Sequence, residues 1–118
     1  MAKIKVHAGD FLKGKGDYVF GSIQLKTEAH PYMGESLHVS ELEVVEQASE
    51  ESVKKIGGTV GWGVAGAALL GPAGMLAGLL LGGRGKEVTF VAVFKDGRKL
   101  LATTDSKTYT KLQAATFK

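Results

Sequence analysis

The stretch "IGGTVGWGVAGAALLGPAGMLAGLLLGG", residues 56–83, contains no charged side chain, although the rest of this 118-residue chain is rich in Lys and Glu. Nothing else in the sequence restricts the fold as strongly. An apolar run of this length crosses a membrane, dips into one, or is buried inside a soluble protein or oligomer. Ten of its 28 residues are glycine. Each glycine in a helix interior costs about 0.8–1.0 kcal/mol relative to alanine, so only close packing of the segment compensates for so many.

Pro72, preceded by Gly71, divides the stretch. Proline lacks a backbone donor and disfavours helix at the residue before it, yet it is favourable at a first helical position. The pattern therefore predicts one helix over about 50–70 and a second over about 72–81, joined as a hairpin. Gly57, Gly61 and Ala65 recur every four residues in the first arm, and Gly74, Gly78 and Gly82 in the second. Residues four apart share a helix face, so each arm presents a ridge nearly without side chains, suited to self-association. Trp62, Met75, Leu79 and Leu80 are the candidate contacts with a membrane or a partner, Trp62 at headgroup level.

The charge-free arms are about 15 and 10 residues, or roughly 22 and 15 Å of helix, short of a bilayer core of about 30 Å. A single crossing by the whole stretch would place the strands before it and the hairpin after it on opposite sides. Lys54, Lys55, Arg84 and Lys86 flank both ends, which favours one common side. What remains is a re-entrant or interfacial hairpin, or one packed on its own sheet or on a neighbouring subunit.

Around this segment the periodicity is that of strands. Lys3-Ile4-Lys5-Val6-His7 alternates polar and apolar. Gly14-Lys15-Gly16-Asp17 reads as a turn, and residues 18–25 as one β-branched and aromatic strand. His30-Pro31-Tyr32-Met33-Gly34 reads as a loop, and alternation over 37–46 predicts a third strand. Ser49-Glu50-Glu51-Ser52 opens a helix with a capping hydroxyl and acids in the first turn. Residues 87–94 and 98–103 are strands joined by a tight turn at Asp96-Gly97. Thr104 or Asp105 caps a last helix, with Tyr109, Leu112 and Thr116 on one face. The expected fold is α+β: one domain over 1–118, with an antiparallel sheet of about five strands, a Gly-rich helical hairpin inserted at 49–83 and a C-terminal capping helix.

The ending "KEVTFVAVFKDGRKLLATTDSKTYTKLQAATF" resembles the last hairpin and closing helix of small bacterial pleckstrin-homology-like domains. The central "GWGVAGAALLGPAGMLAGLLLGG" is similar to glycine-zipper hairpins, which in other proteins associate with membranes or oligomerise. Together these resemblances imply a PH-like sheet carrying a glycine-zipper insertion. No lipid-phosphate motif comes with them, so phosphoinositide binding is not implied.

Chemistry-bearing patterns are sparse. Cysteine is absent, which excludes disulfides, thiolate zinc sites and thiol catalysis. The opening residues have no apolar run behind their lysines, so a secretory signal is not expected and the cytoplasm is the expected location, with the inner membrane face as a peripheral site. Gly14-Lys15-Gly16 lacks the spacing of a phosphate loop, and His7, His30 and His38 lack metal-ligand spacing. Glu41, Glu43, Glu46, Glu50 and Glu51 fit a solvated edge strand and helix start. No nucleophile-and-base arrangement emerges, so enzyme activity, cofactors and metals are not expected.

Charge is uneven: residues 1–55 carry −2 and residues 84–118 carry +5. Lys95, Arg98 and Lys99 form a candidate basic surface at the last hairpin. Few aromatics are interleaved with the basic residues, which disfavours nucleic acid as a partner. Two functions follow. In one, an interaction or scaffold protein forms homo-oligomers through the glycine hairpin, at a membrane surface. In the other, a soluble binding module or small regulator of another protein uses the hairpin as core and the basic hairpin as its contact.

Overall fold

The computed structural model describes residues 2–11, 14–27, 32, 34–56 and 86–116. Their strands are β1 (Ala2–Gly9), β2 (Gly14–Val19), β3 (Ser22–Leu25), β4 (Glu35–His38), β5 (Leu42–Gln47), β6 (Glu87–Phe94) and β7 (Lys99–Asp105). The helices are α1 (Glu50–Ile56) and α2 (Ser106–Thr116), with a 3₁₀ turn at Val39–Glu41. All strands join one antiparallel sheet in the order β4-β3-β2-β1-β7-β6-β5, curled into a half-barrel.

This corrects the expected sheet of about five strands with an inserted helical hairpin. The described residues form seven strands and two helices; α1 covers only the start of the expected first arm, and the rest of the expected hairpin, with all six self-association positions and the four contact positions named above, lies outside them. Two breaks account for the extra strands. Residues 18–25 turn back at Phe20-Gly21, a two-residue loop between the paired Val19 and Ser22. Both loop residues have positive φ, 47° and 79°, which suits the right-handed twist of the flanking strands. Residues 37–46 break at the 3₁₀ turn, where His38 Nδ1 accepts from the Ser40 backbone N–H at 3.1 Å.

Gly14-Lys15-Gly16-Asp17 is also not a turn but lies in β2, opposite β1. A Cβ at Gly16 would stand 2.8 Å from a Leu25 methyl and 2.9 Å from the Gln24 carbonyl oxygen. That glycine serves a close approach between strands. A turn joins β6 and β7 at Asp96-Gly97 as expected, but not as a type I′ pair: the Phe94 N–H donates to the Arg98 carbonyl across a three-residue loop, and only Gly97 of the two has positive φ, 95°.

The main core lies inside the curl. Ile4, Val6, Ile23, Leu25, Leu37, Phe90, Phe94, Leu100 and Leu112 are among its buried members. Helix α2 enters this face through Leu112 and through Tyr109, whose ring lies 6.0 Å from that of Phe90. Asp105 caps α2: its carboxylate accepts from the hydroxyl and backbone N–H of Thr108, which hold it below the usual carboxylate range. Helix α1 is capped by a reciprocal pair, Ser52 N–H to Ser49 Oγ at 3.0 Å and Ser49 N–H to Ser52 Oγ at 2.8 Å. Among the described residues, no helix is long and apolar enough to cross a membrane.

Candidate functional site

The basic hairpin is the part of the expected site that the structure describes. Lys95 is exposed and Lys99 half-buried, but Arg98 is engaged inside the molecule. Its Nη2 donates to Glu35 Oε2 at 2.7 Å and its Nε to Asp96 Oδ2 at 2.8 Å. The guanidinium also lies over the Phe11 ring, 5.1 Å from the centroid, and Phe11 packs edge-on against Phe94 at 5.4 Å. The Glu35 contact, more than any other, raises the Arg98 pKa above its already high ordinary value. Asp96 sits below the usual carboxylate range, chiefly because the Arg98 backbone N–H donates to it.

Arg98 therefore clamps β4, one terminal strand of the sheet, to the β6–β7 hairpin. Asp10 completes the joint: its carboxylate accepts from the Lys99 N–H at 2.8 Å, and its own N–H donates to the Lys99 carbonyl at 2.9 Å. Two acids balance the guanidinium, so this end of the molecule is not the open cationic surface that the sequence suggests. Spacing gave no signal of the partner, because Glu35 lies 63 residues from Arg98.

The outer face of the sheet holds what sequence reading missed. Phe90 and Ala92 point into the main core, so Val91 between them faces the other way, and Leu101 does the same between Leu100 and Ala102. Val91 and Leu101 are nonetheless 0 % exposed. Helix α1, which carries the fully buried Val53, packs beside β6. The middle of the sheet is thus buried on both faces. The near-continuous apolar run Val88–Phe94 was the signal for this, since a strand with one wet face alternates.

Next to this second buried layer runs a polar chain. The half-buried Thr103 hydroxyl lies 2.8 Å from His7 Nε2 and 2.8 Å from the Thr89 hydroxyl. His7 reaches it because β1 bulges there: Val6 opposes Ala102, and Ala8 opposes Leu101. Beside Thr103 opens a cavity of about 730 Å³ lined by strands β1, β2, β6 and β7. Among the described residues, no cluster of three or more His, Asp or Glu is placed to hold a metal ion. No protein-family model, curated protein or solved structure matches this chain.

Proposed function

We propose that this is a non-enzymatic interaction protein that self-associates through its glycine-rich segment, in the cytoplasm and peripheral to the inner membrane face. One observation carries the reading: ten glycines in a 28-residue charge-free run, with Gly74, Gly78 and Gly82 at four-residue spacing. Such a run is destabilising unless backbones approach closely, and small-residue spacing of this kind supports that approach between chains. Arg84 and Lys86, just after it, suit an anionic surface. The resemblance to small bacterial PH-like domains fits a sheet that serves as a carrier for the segment.

A second reading is favoured by a different observation. The outward-facing Val91 and Leu101 are fully buried, so the sheet has apolar surface of its own for an apolar segment to cover. Here the chain is a soluble binding module, a small regulator of another protein, with the segment as core.

Gly78→Leu separates the two. Light scattering on a sizing column, in detergent-free buffer, reads the mass of wild type and variant. Self-association predicts an oligomer that the variant reduces to monomer, with its far-UV circular dichroism unchanged. A monomeric wild type that Gly78→Leu unfolds overturns the first reading in favour of the second.

A further inference from the structure

On the outer face of β1 and β2, Lys5 stands directly opposite Lys15. Like charges directly across a strand pair destabilise it. Both side chains are exposed, and neither takes part in the described ion pairs, which join Lys55 to Glu46 and Arg98 to Glu35 and Asp96. Lys5 is in turn opposite Thr103 on β7, and Thr103 opposite Thr89 on β6. One row across four strands therefore reads ammonium, ammonium, hydroxyl, hydroxyl, all on the same face. Lys3, Lys5, Lys15 and Thr103 line the cavity of about 730 Å³.

The Thr103 hydroxyl donates into the cavity in one of the arrangements that its two contacts allow. A hydroxyl has one proton and two acceptor positions. With His7 protonated on Nε2 and Thr89 turned toward it, both neighbours at 2.8 Å donate to Thr103 Oγ1. Its own proton is then left to point elsewhere, and the cavity lies beside it. Two ammonium groups outside the described ion pairs, with a hydroxyl beside them, together suit a compact dianion, for which phosphate is the common biological chemistry.

The neighbouring row limits the size of that ligand. Asp17 stands opposite Lys3, and Asp105 opposite Glu87. The Asp105 carboxylate is held by Thr108, but Glu87 and Asp17 remain as a negative border. Glu87 and Asp105 also line the cavity, so a long polyanion laid across it would meet those acids, whereas a single phosphate group over Lys5 and Lys15 keeps to its basic side. We propose that the cavity on the outer face of β1, β2 and β7 binds one phosphate monoester group through Lys5, Lys15 and the Thr103 hydroxyl.

The test is an amide-resolved NMR titration of the full chain with inorganic phosphate against sodium chloride at matched ionic strength. Saturable shifts at Lys5, Lys15 and Thr103, absent with chloride, are expected. Lys15→Gln and Lys5→Gln should each weaken binding at least about tenfold, while Lys95→Gln leaves it unchanged. Lys15→Gln should also raise the melting temperature of the ligand-free chain, because it removes a like-charge pair.

Vesicles of phosphatidylcholine with and without phosphatidic acid distinguish the source. Sedimentation with phosphatidic acid alone, lost in Lys15→Gln, makes the group a lipid headgroup. Phosphate binding without sedimentation makes it a soluble phosphomonoester. Absence of saturation with both probes overturns the proposal, as do glutamine variants that titrate like wild type or a Lys95→Gln loss as large as that of Lys15→Gln. Equal binding of a DNA duplex would overturn the size limit set by the acids. None of these readouts depends on whether the chain is monomer or oligomer.

Discussion

Strands β3 and β4 and strands β6 and β7 belong to one sheet, yet they follow different rules. In β3 and β4 burial alternates: Ile23, Leu25 and Leu37 are buried, while Gln24, Ser36 and His38 are exposed. In β6 and β7 it does not: Phe90, Val91, Ala92, Leu100, Leu101 and Ala102 are each 0 or 1 % exposed. Side chains point to alternate faces along any strand, so the second pattern requires cover on both sides. The outer strands shelter a core with one face, and the central strands divide two buried layers. An apolar layer on the second face is therefore a structural requirement of this sheet, whatever else it does.

The contrast is sharpest at outward-facing positions, and substitution there gives the largest expected difference. Leu101→Ala should destabilise the chain by about 2–5 kcal/mol, the range for large-to-small changes in a true core. Gln24→Ala, also outward-facing but exposed, should stay within about 0.5 kcal/mol. Urea denaturation midpoints compare the two directly. A Leu101→Ala cost near that of Gln24→Ala would break the comparison, since the second layer would then be loosely attached.

Legibility in the sequence follows the same division. The strand over 87–94 and the turn at Asp96-Gly97 were readable, because β-branched density and a strong turn pair agree there. The breaks at Phe20-Gly21 and at Val39–Glu41 were not. Phe is a strand former and a poor occupant of positive φ, so it concealed the turn that Gly21 alone signalled weakly. The 3₁₀ corner depends on a His38 ring accepting from Ser40, which no periodicity encodes. Of the candidate site, Lys95, Arg98 and Lys99 do fall on one hairpin, but charge counting missed that Arg98 is neutralised from a distant strand. The row of Lys15, Lys5, Thr103 and Thr89 joins residues 15 to 103, and only strand register reveals it.

A middle-sized effect is expected where the two kinds of strand are joined. Arg98 links β4 to the β6–β7 hairpin through Glu35, and its side chain is 29 % exposed. Partly solvated ion pairs contribute about 0–1 kcal/mol and a cation over an aromatic ring about 0.5–1 kcal/mol. Arg98→Ala should therefore cost about 1–2 kcal/mol by urea denaturation. Amide hydrogen exchange should quicken most at the β4 edge rather than in β6. Uniform acceleration across the sheet would show instead that Arg98 supports the whole core and not the joint.

The smallest effect carries the opposite sign and concerns the outer strands alone. Phe20 is 99 % exposed and holds a φ of 47° at the β2–β3 turn. A two-residue hairpin loop of this kind favours Asn-Gly, because Asn tolerates the left-handed conformation that a bulky side chain resists. With no burial to offset that strain, Phe20→Asn should stabilise the chain by about 0.5–1 kcal/mol. The rise should appear in the urea midpoint with an unchanged slope, since neither residue alters the surface exposed on unfolding by much. A destabilised variant would mean that the ring makes a contact this hairpin depends on. In that case the one-faced outer strands would have apolar cover of their own, and the contrast with β6 and β7 would narrow.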